Sequence, residues 1–171
     1  MNKALARWNS LDADIAAREI LLCCGSQAWA AALASRRPIV DEHSLLEASA
    51  AVWRSLHERD WQEAFDSHPR IGQTYAQKDA TERSLSWSAQ EQRTVLSEDD
   101  ATRLVLTEAN RRYEEQFGRI FIVCASGKTA TEMLTILESR MKNDPATELH
   151  EAAEQQCRIT ELRLRRWLEQ N

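Results

Sequence analysis

His68 stands in the segment Ser67-His-Pro-Arg-Ile-Gly72, and about one helix later comes Ser88-Ala-Gln-Glu91-Gln92. The first segment sets an imidazole and a guanidinium on one stiffened turn. Pro69 fixes its own φ and biases His68 away from helix, and Gly72 frees the backbone at the exit. The second segment offers a hydroxyl, a carboxylate and an amide. Together they supply a proton carrier, a charged orienter and neutral hydrogen-bonding groups, which is the material of general acid–base chemistry. A lone histidine is more often structural or simply exposed. The position before proline, beside Arg70 and Gly72, is what singles out His68. His43, His57 and His150 have no such setting and read as surface residues, and no His-x₃-His or acidic pattern suggests a metal.

Ser88 and Glu91 carry a second meaning. Ser-x-x-Glu is a capping box, in which each side chain satisfies the other residue's backbone N–H. That reading places Ser88 at a helix start, where free N–H groups and the helix dipole favour anions. Near the C-terminus, Arg163, Arg165 and Arg166 read first as a solvated helix face, and Arg158, about five residues before Arg163, need not share a face with it. One of them turned inward could clamp a carboxylate bidentately, and spacing alone does not select which. Walker, Rossmann and G-x-S-x-G signatures are missing, and none of the lysines (Lys3, Lys78, Lys128, Lys142) sits in an apolar stretch. An enzyme built from these parts works without a cofactor, by acid–base catalysis and positioning.

The elements that must position these groups are helical. Ser10 reads as an N-cap with Asp12 and Asp14 in the first turn, and Leu11, Ile15 and Leu22 as an apolar stripe before Gly25. Ser26 caps an Ala-rich helix that stops at Arg36-Arg37-Pro38. Asp41 or Ser44 opens the next, with Leu45, Ala48, Val52 and Leu56 at helical spacing. Trp61 to Phe65 gives a short turn of helix. Residues 73–87 are polar and irregular, a loop or a weak helix. A long helix spans Asp99 to Phe117 and closes at Gly118. Ile120-Phe-Ile-Val123 is the one strongly β-like run, and since a single run makes no sheet it reads as a buried helix or a connector. Thr129 to Met141 forms another helix, and Asp144-Pro145 starts the last in cap-then-proline order, with Leu149, Ala153, Ile159 and Leu162 inward. The expectation is an all-α single domain over residues 1–171, of roughly seven to nine helices.

The 171 residues carry 43% apolar and 29% charged side chains, in the range of a globular protein. Only 4 Gly and 3 Pro punctuate them, which again favours long helices over many turns. A net charge of −5, from 22 basic and 27 acidic residues, argues against nucleic acid as a partner. No apolar run reaches membrane-spanning length, and the N-terminus lacks a signal-peptide pattern. Cys23, Cys24, Cys124 and Cys157 match no zinc spacing and read as reduced, buried thiols of a cytoplasmic protein.

Read along its whole length, the chain resembles the 2-oxo-4-hydroxy-4-carboxy-5-ureidoimidazoline (OHCU) decarboxylase family. The resemblance rests on Cys24-Gly25-Ser26 with Trp29, Arg37-Pro38, Phe65-x-x-His68-Pro69-Arg70-Ile71-Gly72 and Ser88-x-x-Glu91-Gln92. It continues in Asn110-x-x-Tyr113-x-x-x-Phe117-Gly118, Phe121-x-x-Cys124-Ala125-Ser126-Gly127, Arg140-x-x-Asn143 and Glu154-x-x-x-x-Ile159-x-x-x-Arg163-Leu164. His-Pro-Arg-Ile-Gly alone is a weak motif; the ordered set is strong. Leu33 and Ile39 depart from it, standing where a Met and a Phe are expected, at packing positions. The resemblance implies an all-helical fold and the last step of urate degradation in purine catabolism, forming (S)-allantoin and CO₂. It implies that His68 is the catalytic acid/base and that Ser88, Glu91 and Gln92 line the substrate site; acid–base chemistry at His68 adds the expectation that Glu91 fixes its tautomer. Pro69 becomes a shaping contact. The backbone of Ile122, Val123, Cys124, Ala125 and Ser126 becomes the stretch that hydrogen-bonds the ring or ureido group, and Arg163 the arginine on the substrate. A homodimer is implied as well. The alternative is a helical anion-binding module, in which His68 and the arginines recognise a ligand without turning it over.

Overall fold

The computed structural model describes residues 2–73, 81–97 and 99–170. Among them are ten α-helices, nine of seven residues or more, and no strand. In chain order they are α1 (Lys3–Asn9), α2 (Ala13–Ile20), α3 (Gln27–Ala34), α4 (Glu42–Arg54), α5 (Glu58–Asp66), α6 (Glu82–Glu91), α7 (Arg93–Leu96), α8 (Asp100–Phe117), α9 (Ala130–Arg140) and α10 (Pro145–Gln170). A 3₁₀ turn, Leu21–Cys23, follows α2. The chain divides into two compact units, one made of Met1–Ala64 with Cys157–Asn171, the other of Phe65–Gln156.

Most helix boundaries follow from local capping chemistry. The side chains of Ser26, Asp41 and Asp99 accept the N–H of Trp29, Ser44 and Thr102, opening α3, α4 and α8. Thr129 and Glu132 form the capping box of α9. Asp144 accepts from the N–H groups of Ala146 and Thr147 at the start of α10. Gly118 ends α8 at φ +68°, in the left-handed region where a side chain would be strained.

The first turns of the chain differ from expectation. Asn2, through its side-chain oxygen, caps a helix that ends where one was expected to begin, so Ser10 is the C-cap of α1. Asp12 takes the N-cap position of α2 without a side-chain bond. The expected stripe is also rotated: Ile15 is 43% exposed, and Ala16, Ile20 and Cys23 are the buried positions. Asp14 and Arg18 leave both phases plausible by polarity, and packing settles which face turns in.

In the first unit the core is built on tryptophans. Trp8, Trp29 and Trp167 are fully buried with Leu5, Ile20, Leu33 and Leu45. Trp8 meets Trp167 edge to face at 6.0 Å and donates from Nε1 to the Ala16 carbonyl at 2.9 Å. Arg37 lies over the Trp8 ring at 5.2 Å and donates to the carbonyls of Trp8, Leu11 and Ala34. It closes the end of α3 against the chain that follows α1. On the part of α10 in this unit, Ile159 is buried but Leu162 is 38% exposed. The expected inward position is taken by its neighbours Arg163 and Leu164.

In the second unit α8 packs on α9, and Leu106, Tyr113, Phe117, Phe121, Met133 and Leu137 form the centre. Residues 119–125 are a connector without helix, and Ile120, Phe121, Ile122, Val123 and Ala125 are all buried. Their β-like composition reflects a segment buried on both sides rather than a strand.

Candidate active site

His68 follows the end of α5, its N–H donating to the Phe65 carbonyl at 3.0 Å. It is 7% exposed, and Pro69 beside it is buried. The next four residues form a β-turn closed by the Gln73 N–H on the Arg70 carbonyl at 2.9 Å. Gly72, at φ +86°, has the value that the third position of a type II turn requires. Three side chains hold this turn. Gln92 accepts the Gly72 N–H at 2.8 Å, and Asn110 donates to the Ile71 carbonyl at 3.0 Å. Glu114 takes Arg70 bidentately, with Nη2 to Oε2 at 2.7 Å. Arg70 is therefore a structural anchor of the His68 turn.

Ser88 is not a helix cap. It lies inside α6, 3% exposed, and Glu91 is the last residue of that helix. The cap is Thr81, whose hydroxyl accepts the Ser84 N–H at 3.1 Å. A capping box and one turn of helix share the same three-residue spacing, so Ser-x-x-Glu reads alike in both. Residues 74–80, most of the first half of the stretch read as loop or weak helix, lie outside the described residues, and from Glu82 the chain is helical. The polar group of Ser88, Glu91 and Gln92 thus sits at a helix C-terminus, where the dipole favours positive charge rather than an anion. Gln92, 5% exposed at that C-terminus, ties it to the His68 turn.

The 122–126 stretch is held from two directions. Arg140 donates from Nη1 to the Ile122 carbonyl at 2.6 Å, and the Cys124 N–H goes to Gln155 Oε1 at 2.9 Å. The Cys124 carbonyl accepts from Lys128 Nζ at 2.7 Å. Ser126 is exposed at the turn that leads to α9. Behind Arg140 stands a buried polar network that the sequence reading did not find. Glu148, fully buried, receives Arg140 Nε at 2.8 Å and Nη2 at 2.5 Å on Oε1, and Asn143 at 2.8 Å on Oε2. The Tyr113 hydroxyl donates to the same Oε1. Burial, and then that bond, push the Tyr113 hydroxyl well above its ordinary value, so it stays a neutral donor. Arg140 also lies over the Phe121 ring at 4.7 Å.

Of the four C-terminal arginines only Arg163 is buried, at 2% exposure; Arg158 and Arg165 are exposed and Arg166 is half-buried. Arg165 is spent on surface pairs with Glu42 and Glu161. Arg163 belongs to the first unit and the other site residues to the second. Near Arg163 lies Cys24, whose thiol burial pushes up to about 12 against the opposing effects of the Thr160 hydrogen bond and the Arg163 charge. At neutral pH Cys24 is thus a packed, protonated thiol rather than a thiolate. Among the described residues the cysteines form no disulfide; Cys23 and Cys24 are buried as expected, whereas Cys124 and Cys157 are half-buried, and no group of three or more His, Cys, Asp or Glu could hold a metal ion. His43, His57 and His150 are exposed as expected. Among the described residues no helix is long and apolar enough to cross a membrane.

His68 is thus withdrawn from water just before a turn that three side chains hold, and among the described residues the secondary structure that frames it is helical, without strands. Comparison with known proteins gives this class of protein a family. The chain belongs to the OHCU decarboxylase family, whose model matches residues 9–165. It is 38% identical over 155 residues to the uric acid degradation bifunctional protein TTL of Arabidopsis thaliana, covering 88% of this chain and 47% of that protein. The 2-oxo-4-hydroxy-4-carboxy-5-ureidoimidazoline decarboxylase of Amia calva is 32% identical over 136 residues, with 79% of this chain and 77% of that protein covered. The chain thus spans about half the length of the plant relative and most of the fish one. Among solved structures, a crystal structure of OHCU decarboxylase in the presence of (S)-allantoin matches with a TM-score of 0.76 and 32% identity, over 88% of this chain and 97% of that one. A crystal structure of (S)-allantoin synthase, 21% identical, shares the fold with a TM-score of 0.71.

Proposed function

We propose that this chain decarboxylates OHCU to (S)-allantoin as one OHCU decarboxylase-like domain, with His68 as the acid/base. The observation that carries the reading is the buried His68 on a turn bonded to the end of α6 through Gly72 and Gln92. Membership of a family whose match runs over residues 9–165, through both compact units, supports treating them as a single functional domain.

The chemistry follows from the substrate. The bond from the ring carbon to its carboxylate breaks, CO₂ leaves, and the electron pair stays on the ring in an enolate-like form. The hydroxyl on that carbon becomes the ring carbonyl, and one proton delivered to one face of the neighbouring, ureido-bearing ring carbon completes the chiral product. The protein must hold the carboxylate out of the ring plane, stabilise the transient charge and supply the proton. His68 is the proton carrier, either taking the ring hydroxyl proton or protonating the carbanion. Glu91 orients it, Pro69 shapes its surroundings, and Ser88 and Gln92 offer hydrogen bonds. With the Ile122 carbonyl and the Cys124 N–H engaged inside the protein, the neighbouring amides of Val123, Ala125 and Ser126 are the groups for the ring and ureido oxygens. Arg163, the buried one of the four arginines, supplies the cation. The reading extends to a cytoplasmic homodimer, for which Leu104 and Val105, 70% and 51% exposed on α8, offer an apolar face.

A crystal structure with (S)-allantoin bound tests the site. Allantoin within hydrogen-bond reach of His68 and of the Val123, Ala125 and Ser126 amides is the expected result. Allantoin bound elsewhere, or a site that takes any small anion equally well, would favour the anion-binding module instead.

A further inference from the structure

We propose that Asn110 is a positioning residue for His68, acting through a single peptide group that it shares with Gln92. The proposal rests on the reading of His68 as the acid/base. The Ile71 carbonyl and the Gly72 N–H belong to one peptide unit, and in a trans peptide they point in opposite directions. Asn110 Nδ2 donates to the carbonyl at 3.0 Å, and Gln92 Oε1 accepts from the N–H at 2.8 Å. Two side-chain amides therefore grip the same peptide from its two sides, and both amides are buried, with Asn110 3% and Gln92 5% exposed.

That peptide is the central one of the Arg70–Gln73 turn. Types I and II of a β-turn differ by the orientation of this peptide, and Gly72 at φ +86° marks type II. A glycine at this position makes the flip sterically cheap, because it tolerates both signs of φ. The amide pair removes that freedom: a flipped peptide would set its N–H against the Asn110 donor and its carbonyl against the Gln92 acceptor. Asn110 lies one helical turn from Glu114 on α8, and Glu114 holds Arg70 at the start of the same turn. One face of α8 thus fixes the backbone that begins two residues after His68, and Gln92 fixes it from the end of α6.

Asn110→Ala and Asn110→Asp test this in the full chain. Both should lower kcat about ten- to hundredfold, the scale of a small misplacement of a reacting group, while (S)-allantoin affinity stays within about threefold. The two should differ with pH. An Asp carboxylate repels the Ile71 carbonyl, but once protonated it can donate to it. The activity of Asn110→Asp relative to wild type should therefore recover as pH falls, and that of Asn110→Ala should stay flat. Gly72→Ala attacks the same peptide from the backbone side, since its Cβ meets nothing within 4 Å but resists the positive φ. It should reproduce the kcat loss, and it decides the matter if neither Asn110 variant folds. A folded Asn110→Ala with kcat within about twofold of wild type, a loss confined to KM, or a fully active Gly72→Ala would overturn the proposal. If those variants are active while His68→Asn is dead, only the clamp is wrong. If His68→Asn itself is active, it is the acid/base reading that fails.

Discussion

Replacing His68 with asparagine is expected to reduce kcat about 10²–10⁴-fold, the usual contribution of a positioned acid–base group, while leaving the fold intact. Asparagine keeps the polarity of the site and a comparable reach but carries no proton near neutral pH. The backbone around position 68 is set by Pro69, by the N–H bond to Phe65 and by the clamped turn that follows, none of which uses the imidazole. The circular dichroism spectrum and thermal midpoint should therefore change little. Turnover measured by the disappearance of freshly generated OHCU separates the outcomes, and a variant within tenfold of wild type would remove His68 from the chemistry.

The second large effect falls on stability. Glu148→Leu leaves the Arg140 guanidinium buried at 5% exposure without its carboxylate and strips the Tyr113 hydroxyl and Asn143 of their acceptor. Breaking a buried ion pair on one side costs about 3–5 kcal/mol. That is a large fraction of the roughly 5–15 kcal/mol that keeps a domain folded, and at this size it lowers the melting temperature by about 6–20 °C. Chemical denaturation at matched pH reads the loss. A cost under about 1 kcal/mol would mean that the network is incidental. The double variant with Arg140→Met should be less damaging than Glu148→Leu alone, because no unpaired charge stays behind. It still orphans the Ile122 carbonyl, so some of the loss should persist.

The parts of this structure that could be read ahead are those whose causes are local. Ser26, Asp41, Asp99, Gly118 and Asp144 mark helix ends because capping is settled within a few residues of chain. The prominence of His68 was legible for the same reason, since Pro69 and Gly72 shape the turn from inside it. Ser88 and Glu91 show where local reading fails: a spacing of three residues marks a helix start as well as a helix turn, and only Thr81 further upstream decides. Ile15 and Leu162, expected inside, are exposed because amphipathic phase is fixed by what packs against a helix and not by the helix alone. The Tyr113–Arg140–Glu148 network joins residues 8 to 35 positions apart, and no spacing rule connects them. The selection of Arg163 among four arginines is likewise a matter of burial.

The resemblance carried by ordered motifs reached further than composition or periodicity, and the family match agrees with it. What it could not supply is how the motif residues support one another. Gln92 and Asn110 belong to two separate motifs, and the structure joins them at one peptide.

The most direct test of the whole account is the optical activity of the product. OHCU generated in place from urate decays by itself to racemic allantoin, which leaves no lasting circular dichroism. Adding this protein should accelerate the loss of OHCU and leave a persistent signal of (S)-allantoin. A racemic product at the uncatalysed rate, from folded protein, would contradict the proposed activity.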